Sequence, residues 1–185
     1  MFVQTEITPN PASLKFLPGR VVMEKGTADF RGVEEAKNSL LAQNLFKIDG
    51  VEGVFFGSDF ISITKIEGFD WQVIKPSILG SIADHFESGT PVMNKIENTD
   101  EGATNVKDSE IVVQIKELLD TKVRPAVAMD GGDITFSDYK DGIVFLHMKG
   151  ACSGCPSSTA TLKAGIENML KHYVPEVQGV EPVMN

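Results

Sequence analysis

The chain has 185 residues, 42% hydrophobic and 23% charged, enough to bury a core as one large domain or two small ones. Its formal net charge of −9, with Lys and Arg scattered, argues against nucleic acid and an anionic membrane surface as partners. Apolar runs such as Val54-Phe55-Phe56 and Ile143-Val144-Phe145-Leu146 fall far short of the roughly 20 residues of a membrane span.

The opening Met1-Phe2-Val3-Gln4-Thr5-Glu6 reads as neither a secretory signal nor an organelle transit peptide. Residues 2–7 and 13–17 are expected to be strands, separated by the turn residues Pro9-Asn10-Pro11. Val33 to Phe46 reads as a helix with Ala36, Leu40, Leu41 and Leu45 on one face. Val51 to Phe56 and Phe60 to Lys65 form a hairpin around Gly57-Ser58-Asp59. A helix then runs to Glu87, with Ile78, Ile82 and Phe86 at four-residue spacing and Pro76 expected in its first turn or at a kink. Trp71 reads as a core anchor, and His85 and His172 as surface or boundary residues.

Residues 93–108, MNKIENTDEGATNVKD, are polar, acidic and free of aromatics, which is linker composition. As a flexible coil, about 16 residues span roughly 20–24 Å root-mean-square, so the two halves are expected to move somewhat independently. Past the linker, a helix is expected from Ser109 to Val123, with Ile111, Ile115, Leu118 and Leu119 buried and Pro125 marking its end. Strands follow near residues 134–137 and 143–148, joined at Asp141-Gly142, a strong hairpin signal. Gly150-Ala151-Cys152-Ser153-Gly154-Cys155 turns into a helix over residues 156–173, with Leu162, Ile166, Met169, Leu170 and Tyr173 facing the core. A short strand over residues 177–183 closes the chain.

The chemistry concentrates at the two cysteines. They are three positions apart, at a strand-to-helix junction, in a chain with no other cysteine. A secreted disulfide scaffold would use more, at wider spacing. Pro156 suits the first position of a helix, whose N-terminal N–H groups and positive dipole end favour thiolate over thiol. Gly150 and Gly154 let two sulfurs converge.

Four readings fit these residues. A thiol–disulfide oxidoreductase would place an aromatic before the first cysteine and a proline between the pair, and neither is present. Zinc wants four ligands, and His147 belongs to an alternating strand with no ligand spacing to the pair. Inert thiols at a turn are the third reading. An iron–sulfur cluster takes four thiolates, which two copies related by a twofold axis would supply. The last reading leads, and the residues alone leave the others open.

Residues 130–134, DGGDI, followed by residues 142–177, GIVFLHMKGACSGCPSSTATLKAGIENMLKHYVPEV, resemble the C-terminal domain of the NifU-like (Nfu) iron–sulfur proteins. Residues 2–22 and 55–65 resemble the N-terminal domain of one branch of that family. The resemblance implies two small α/β domains of α+β type, each a small sheet packed with two helices. Residues 1–92 form the first domain, residues 93–108 a flexible acidic linker and residues 109–185 the cluster domain. It implies a scaffold or carrier that delivers a 4Fe–4S cluster, with Cys152 and Cys155 as ligands and the cluster bridging two subunits. Its partners would be a second copy, upstream assembly proteins and apo iron–sulfur recipients, with no catalytic turnover. Its compartment would be the bacterial cytoplasm, or the mitochondrial matrix if a transit peptide has been removed.

Asp130 and Asp133, flanking Gly131-Gly132, are expected to brace a turn through side-chain hydrogen bonds rather than hold a metal. Ser153, Ser157, Ser158 and Thr159 read as helix caps or as donors to cluster sulfurs.

Because both thiols lie past the linker, residues 109–185 alone are expected to bind the cluster. Transfer to an apo-acceptor should be compared between this fragment and the whole chain. A deficit of the fragment that vanishes at high concentration marks the first domain as a tether to the target. Equal rates at low concentration for every acceptor tried remove that role.

Overall fold

A computed structural model describes residues 2–94, 110–152 and 156–183. The first half is a five-stranded antiparallel sheet of β1 (Gln4–Ile7), β2 (Ser13–Leu17), β3 (Ala28–Phe30), β4 (Val51–Phe56) and β5 (Ile61–Lys65). Its order is β1-β2-β5-β4-β3. Two helices, α1 (Leu40–Phe46) and α2 (Trp71–Glu87), supply the rest of its core. Alternation sorts the strands. Leu14, Phe16, Val54, Phe56, Ile61 and Ile63 point into that core, so Ser13, Lys15, Phe55 and Ser62 lie on the opposite face.

The expected helix over residues 33–46 is broken. A 3₁₀ turn over Glu35–Asn38 ends at Ser39, which is extended and caps α1 by accepting from the Ala42 N–H at 3.2 Å. The restart shifts the helical phase. Ala36, Leu41 and Leu45 are buried as expected, whereas Leu40 is exposed. Strand β3 was not legible in the sequence, because three residues cannot establish a period.

Asp70 caps α2 by accepting from the Gln72 N–H at 2.9 Å. Pro76 is the sixth residue of α2, past the first turn, on the solvent side where water can reach the carbonyl it leaves unpaired. Trp71 packs at the core edge and donates its indole N–H to the Pro11 carbonyl at 3.2 Å. His85 lies on the buried stripe with Ile74, Ile78 and Ile82, not at the surface.

The second half is a three-stranded sheet of β6 (Gly132–Lys140), β7 (Ile143–Gly150) and β8 (Gly179–Val183). The β6–β7 pair is an antiparallel hairpin turned by Asp141 at φ 51° and Gly142 at φ 79°. The β7–β8 pair is parallel, so α5 (Pro156–Tyr173) is the crossover between them. Pro125 does not end the preceding helix. The chain passes from α3 (Glu110–Leu118) through a π-helical turn over Leu119–Val123 into α4 (Arg124–Met129). The wider turn makes room for the proline ring at the start of α4.

Ile115, Leu119, Val123, Ile166, Leu170 and Val174 close the second core. Tyr173, expected inward, is half exposed, with Val174 in the core instead. Of the expected linker, residues 93–108, all but Met93 and Asn94 lie outside the described residues. Just ahead of them, Met93 packs on the first core and Asn94 donates its N–H to Asn38 at 2.8 Å.

The His85 Nε2 is buried and finds no hydrogen-bond partner among the described residues. Burial lowers the imidazole pKa, with smaller opposing contributions from the backbone at Pro91 and Thr90. The unfolded chain therefore takes up this proton first, and stability falls as pH drops below about 6.5. Urea denaturation at about pH 7 and about pH 5 should show a smaller loss in His85→Leu than in the unsubstituted chain. Parallel losses would mean that His85 does not drive the effect.

Candidate functional site

The site is built from two glycine-bounded turns that lie side by side. In the β6–β7 ladder Gly132 pairs with Gly150. Gly150 has φ +63° and turns the chain out of β7, and the Ala151 N–H donates back to the Gly131 carbonyl at 3.2 Å. A side chain at Gly150 would meet the Gly131 carbonyl at 2.8 Å and the Phe55 ring at 2.9 Å. Cys152 follows, and α5 begins at Pro156, so the cysteine stands at a strand-to-helix turn as its sequence context indicated.

Cys152 is 7% exposed and packs in the second core. Its sulfur occupies the space beside Gly132, where a Cβ would lie only 2.5 Å from Sγ. The glycine is thus required by the cysteine. Ser153 and Cys155, and the side chains of Ser157, Ser158 and Thr159, lie outside the described residues.

Asp133 and Asp130 take different roles. Asp133 is 3% exposed and holds Arg124 in a two-pronged ion pair at 2.9 and 3.0 Å. It also accepts from the Ile134 N–H at 2.9 Å, the side-chain-to-backbone brace expected of it. Arg124 reaches on to Asp120 at 3.1 Å, and these carboxylates hold its pKa above the ordinary value. Asp130 is exposed at the end of α4. His147 faces a cavity of about 310 Å³ with Asp29, Arg31, Glu35, Met148 and Lys149. Among the described residues no group of three or more His, Cys, Asp or Glu side chains could hold a metal ion.

The first half, which carries no cysteine, also contributes to this site. The open face of its sheet covers both turns. One cross-strand row runs through all five strands: Glu6, Lys15, Ser62, Phe55 and Asp29. Lys15 pairs with Glu6 at 3.4 Å and donates to the Met129 carbonyl at 3.3 Å. The Ser62 hydroxyl donates to the Gly131 carbonyl. The Phe55 ring lies against Gly150, and the Asp29 carboxylate lies close enough to the Gly150 N–H to feel it. Burial there raises the Asp29 pKa, opposed by Arg31, Lys149 and the Gly150 N–H.

Two further bonds flank the row. Thr27 donates to Asp133 at 2.9 Å, and the Asn10 amide donates to the Ala151 carbonyl at 3.3 Å. Asn10, expected only as a turn residue, does brace its own turn by accepting from the Ala12 N–H at 3.0 Å. A sequence signal did exist. Phe55 sits between core residues Val54 and Phe56, so an apolar side chain was placed on the face that alternation reserves for water.

The fold and site define a two-domain protein of sheets and helices with a cysteine-bearing turn ahead of a helix. Family models agree: the scaffold protein Nfu/NifU N-terminal domain matches residues 3–89, and the NifU-like domain matches residues 115–181. The NFU1 iron-sulfur cluster scaffold homolog, mitochondrial, of Homo sapiens is 52% identical over 100% of this chain and 73% of its own length. The protein of the same name from Drosophila sechellia is 53% identical over 100% of this chain and 66% of its own. NifU-like protein 4, mitochondrial, of Arabidopsis thaliana is 53% identical over 98% of this chain and 65% of its own. The chain belongs to the NifU-like (Nfu) family of iron–sulfur cluster scaffold proteins, in the branch with the Nfu N-terminal domain. It spans about two thirds of the length of the fly and plant relatives. No helix among the described residues is long and apolar enough to cross a membrane.

Gly132→Ala tests the packing of Cys152. The new methyl would also lie 2.8 Å from the Lys149 carbonyl oxygen and 3.0 Å from the Cys152 nitrogen, and backbone cannot yield as a flexible side chain would. Overpacking of this kind costs about 1–3 kcal/mol. Urea denaturation should show that loss, and a variant as stable as the original would refute the close packing.

Proposed function

We propose that the chain is a cluster carrier: two copies hold a 4Fe–4S cargo through Cys152 and Cys155 of each, then pass it to apo-proteins. The observation that carries this reading is the position of Cys152, at a glycine-bounded turn just ahead of α5, in a family of cluster scaffolds. Its sulfur is not in a disulfide. The donor chemistry fits the cargo, since thiolates are the usual ligands of a cubane and four are needed. One chain has two cysteines. A twofold pair completes the set, and a site split between subunits comes apart more readily than a closed cage. The N-terminus of α5 favours the thiolate form needed for ligation.

The proposed role is binding and transfer rather than turnover. The partners are a second copy, an upstream assembly protein that supplies the cluster, and apo iron–sulfur proteins that receive it. The compartment is one that keeps thiols reduced, the bacterial cytoplasm or the mitochondrial matrix. The relatives' names, which carry the word mitochondrial, support the second.

Anaerobic reconstitution with iron and sulfide tests the reading. The apo chain should sediment as a monomer and the loaded form as a dimer or larger, with about two iron and two sulfide per chain. Cys152→Ser or Cys155→Ser alone should abolish stable cluster binding while leaving the apo fold intact. A Cys155→Ser chain that reconstitutes a cubane of ordinary stability would refute the ligand assignment. A reversible disulfide with reductase activity, and no iron uptake, would instead identify a thiol–disulfide oxidoreductase.

A further inference from the structure

The contacts between the two domains meet at the backbone of the cysteine-bearing turn and cover Gly150 and Ala151 just ahead of Cys152, whose sulfur packs in the second core. Ala151 is 3% exposed and Cys152 is 7% exposed. The carbonyl just before Cys152 is tied to Asn10, the carbonyl of Gly131 to Ser62, and the carboxylate of Asp133, at the start of β6, to Thr27. Phe55 lies against Gly150 on the same side. A cubane shared by two copies requires the two turns to face one another, with each Cys152 sulfur at the surface. In the arrangement seen here that sulfur is packed beside Gly132 and the turn is covered by the first domain's sheet.

We propose that the first domain is a lid over the cysteine turn: this closed arrangement is the cluster-free form, and the row Lys15–Ser62–Phe55–Asp29 must lift from the turn before two copies can share a cluster. The chemistry of the interface suits reversible closure. Apart from Phe55 it is made of hydrogen bonds and one lysine, the polar character typical of interfaces that open. Each core is complete without the other, since the two hydrophobic clusters share no residue. Opening therefore separates the two cores without breaking into either, and it frees the Phe55 ring and the Phe60 ring packed beside it. The closed form also shields the Cys152 sulfur from oxidation and from stray metal while no cluster is at hand.

The lid rests on the carrier reading for its purpose but not for its geometry, and the experiment separates the two. Thr27→Val with Ser62→Ala removes two donors on the first domain. Each acceptor keeps a partner within the second domain: Asp133 keeps Arg124, and the Gly131 carbonyl keeps the Ala151 N–H. Circular dichroism should confirm that the variant folds, and Thr27→Val alone serves as a milder version. In a Cys155→Ser background, where Cys152 is the sole thiol, iodoacetamide should alkylate Cys152 roughly tenfold faster in the double variant, as expected for two lost hydrogen bonds. In the chain with both cysteines, anaerobic iron and sulfide uptake should be faster by a similar factor. Equal alkylation rates overturn the lid. Faster alkylation with slower cluster uptake also overturns it, since the first domain would then be positioning the turn for the cluster. If alkylation accelerates and neither chain takes up iron, the covered thiol stands and the carrier reading fails.

Discussion

The structure depends on the close approach of two backbone turns, residues 129–133 and 149–152, made possible by three glycines. Gly132 yields its side-chain space to the Cys152 sulfur, Gly150 turns the chain under the Phe55 ring, and Gly131 sits within reach of Ser62 and Thr8. A Cβ at any of these positions would lie within 3.0 Å of another heavy atom, so none tolerates a side chain without a shift. Everything placed on this pair of turns, from the cysteine to the opposing sheet, inherits its position from that contact. The ion pair of Asp133 with Arg124 ties the first turn to α4, so the helix that follows the π turn is also registered on the site.

The first domain gains a physical role from the same contact. A five-stranded sheet with helices on one face leaves the other face to be covered or wetted. Here a single cross-strand row, from Glu6 on β1 to Asp29 on β3, meets the turns with a mixture of one aromatic ring, a hydroxyl, a lysine and a carboxylate. Such a surface recognises exposed backbone carbonyls and N–H groups rather than a greasy patch. The desolvation that raises the Asp29 pKa shows that this polar contact carries a cost of its own. A purely apolar contact would bind more tightly and open less readily.

Much of the architecture was legible because local signals and tertiary demands agree. The limits of β2, β4 and α5, the Asp141-Gly142 hairpin and the end of α2 at Glu87 follow from alternation, helical spacing and turn residues. The structure departs from the local signals where two physical demands compete. Pro125 signalled a helix end, but a π turn accommodated the ring. Leu40 fitted a helical stripe, but the cap at Ser39 reset the phase. His85, expected at the surface or boundary, is buried because its spacing from Ile74, Ile78 and Ile82 puts it on the inner stripe of the helix.

By itself the sequence determined two domains, a thiol pair at a strand-to-helix turn and a family, because each is encoded by residues adjacent in the chain. Period, turn chemistry and a cysteine spacing of three are local quantities. Only the tertiary structure decided that Asn10, Thr27, Asp29, Phe55 and Ser62 belong to the cysteine site, from which they are separated by at least 69 residues in their hydrogen bonds through Asn10, Thr27 and Ser62. No local pattern specifies which face of one sheet will meet which turn of another domain. That choice is made by shape, where glycines leave room, and by the need of buried carbonyls and carboxylates to find donors.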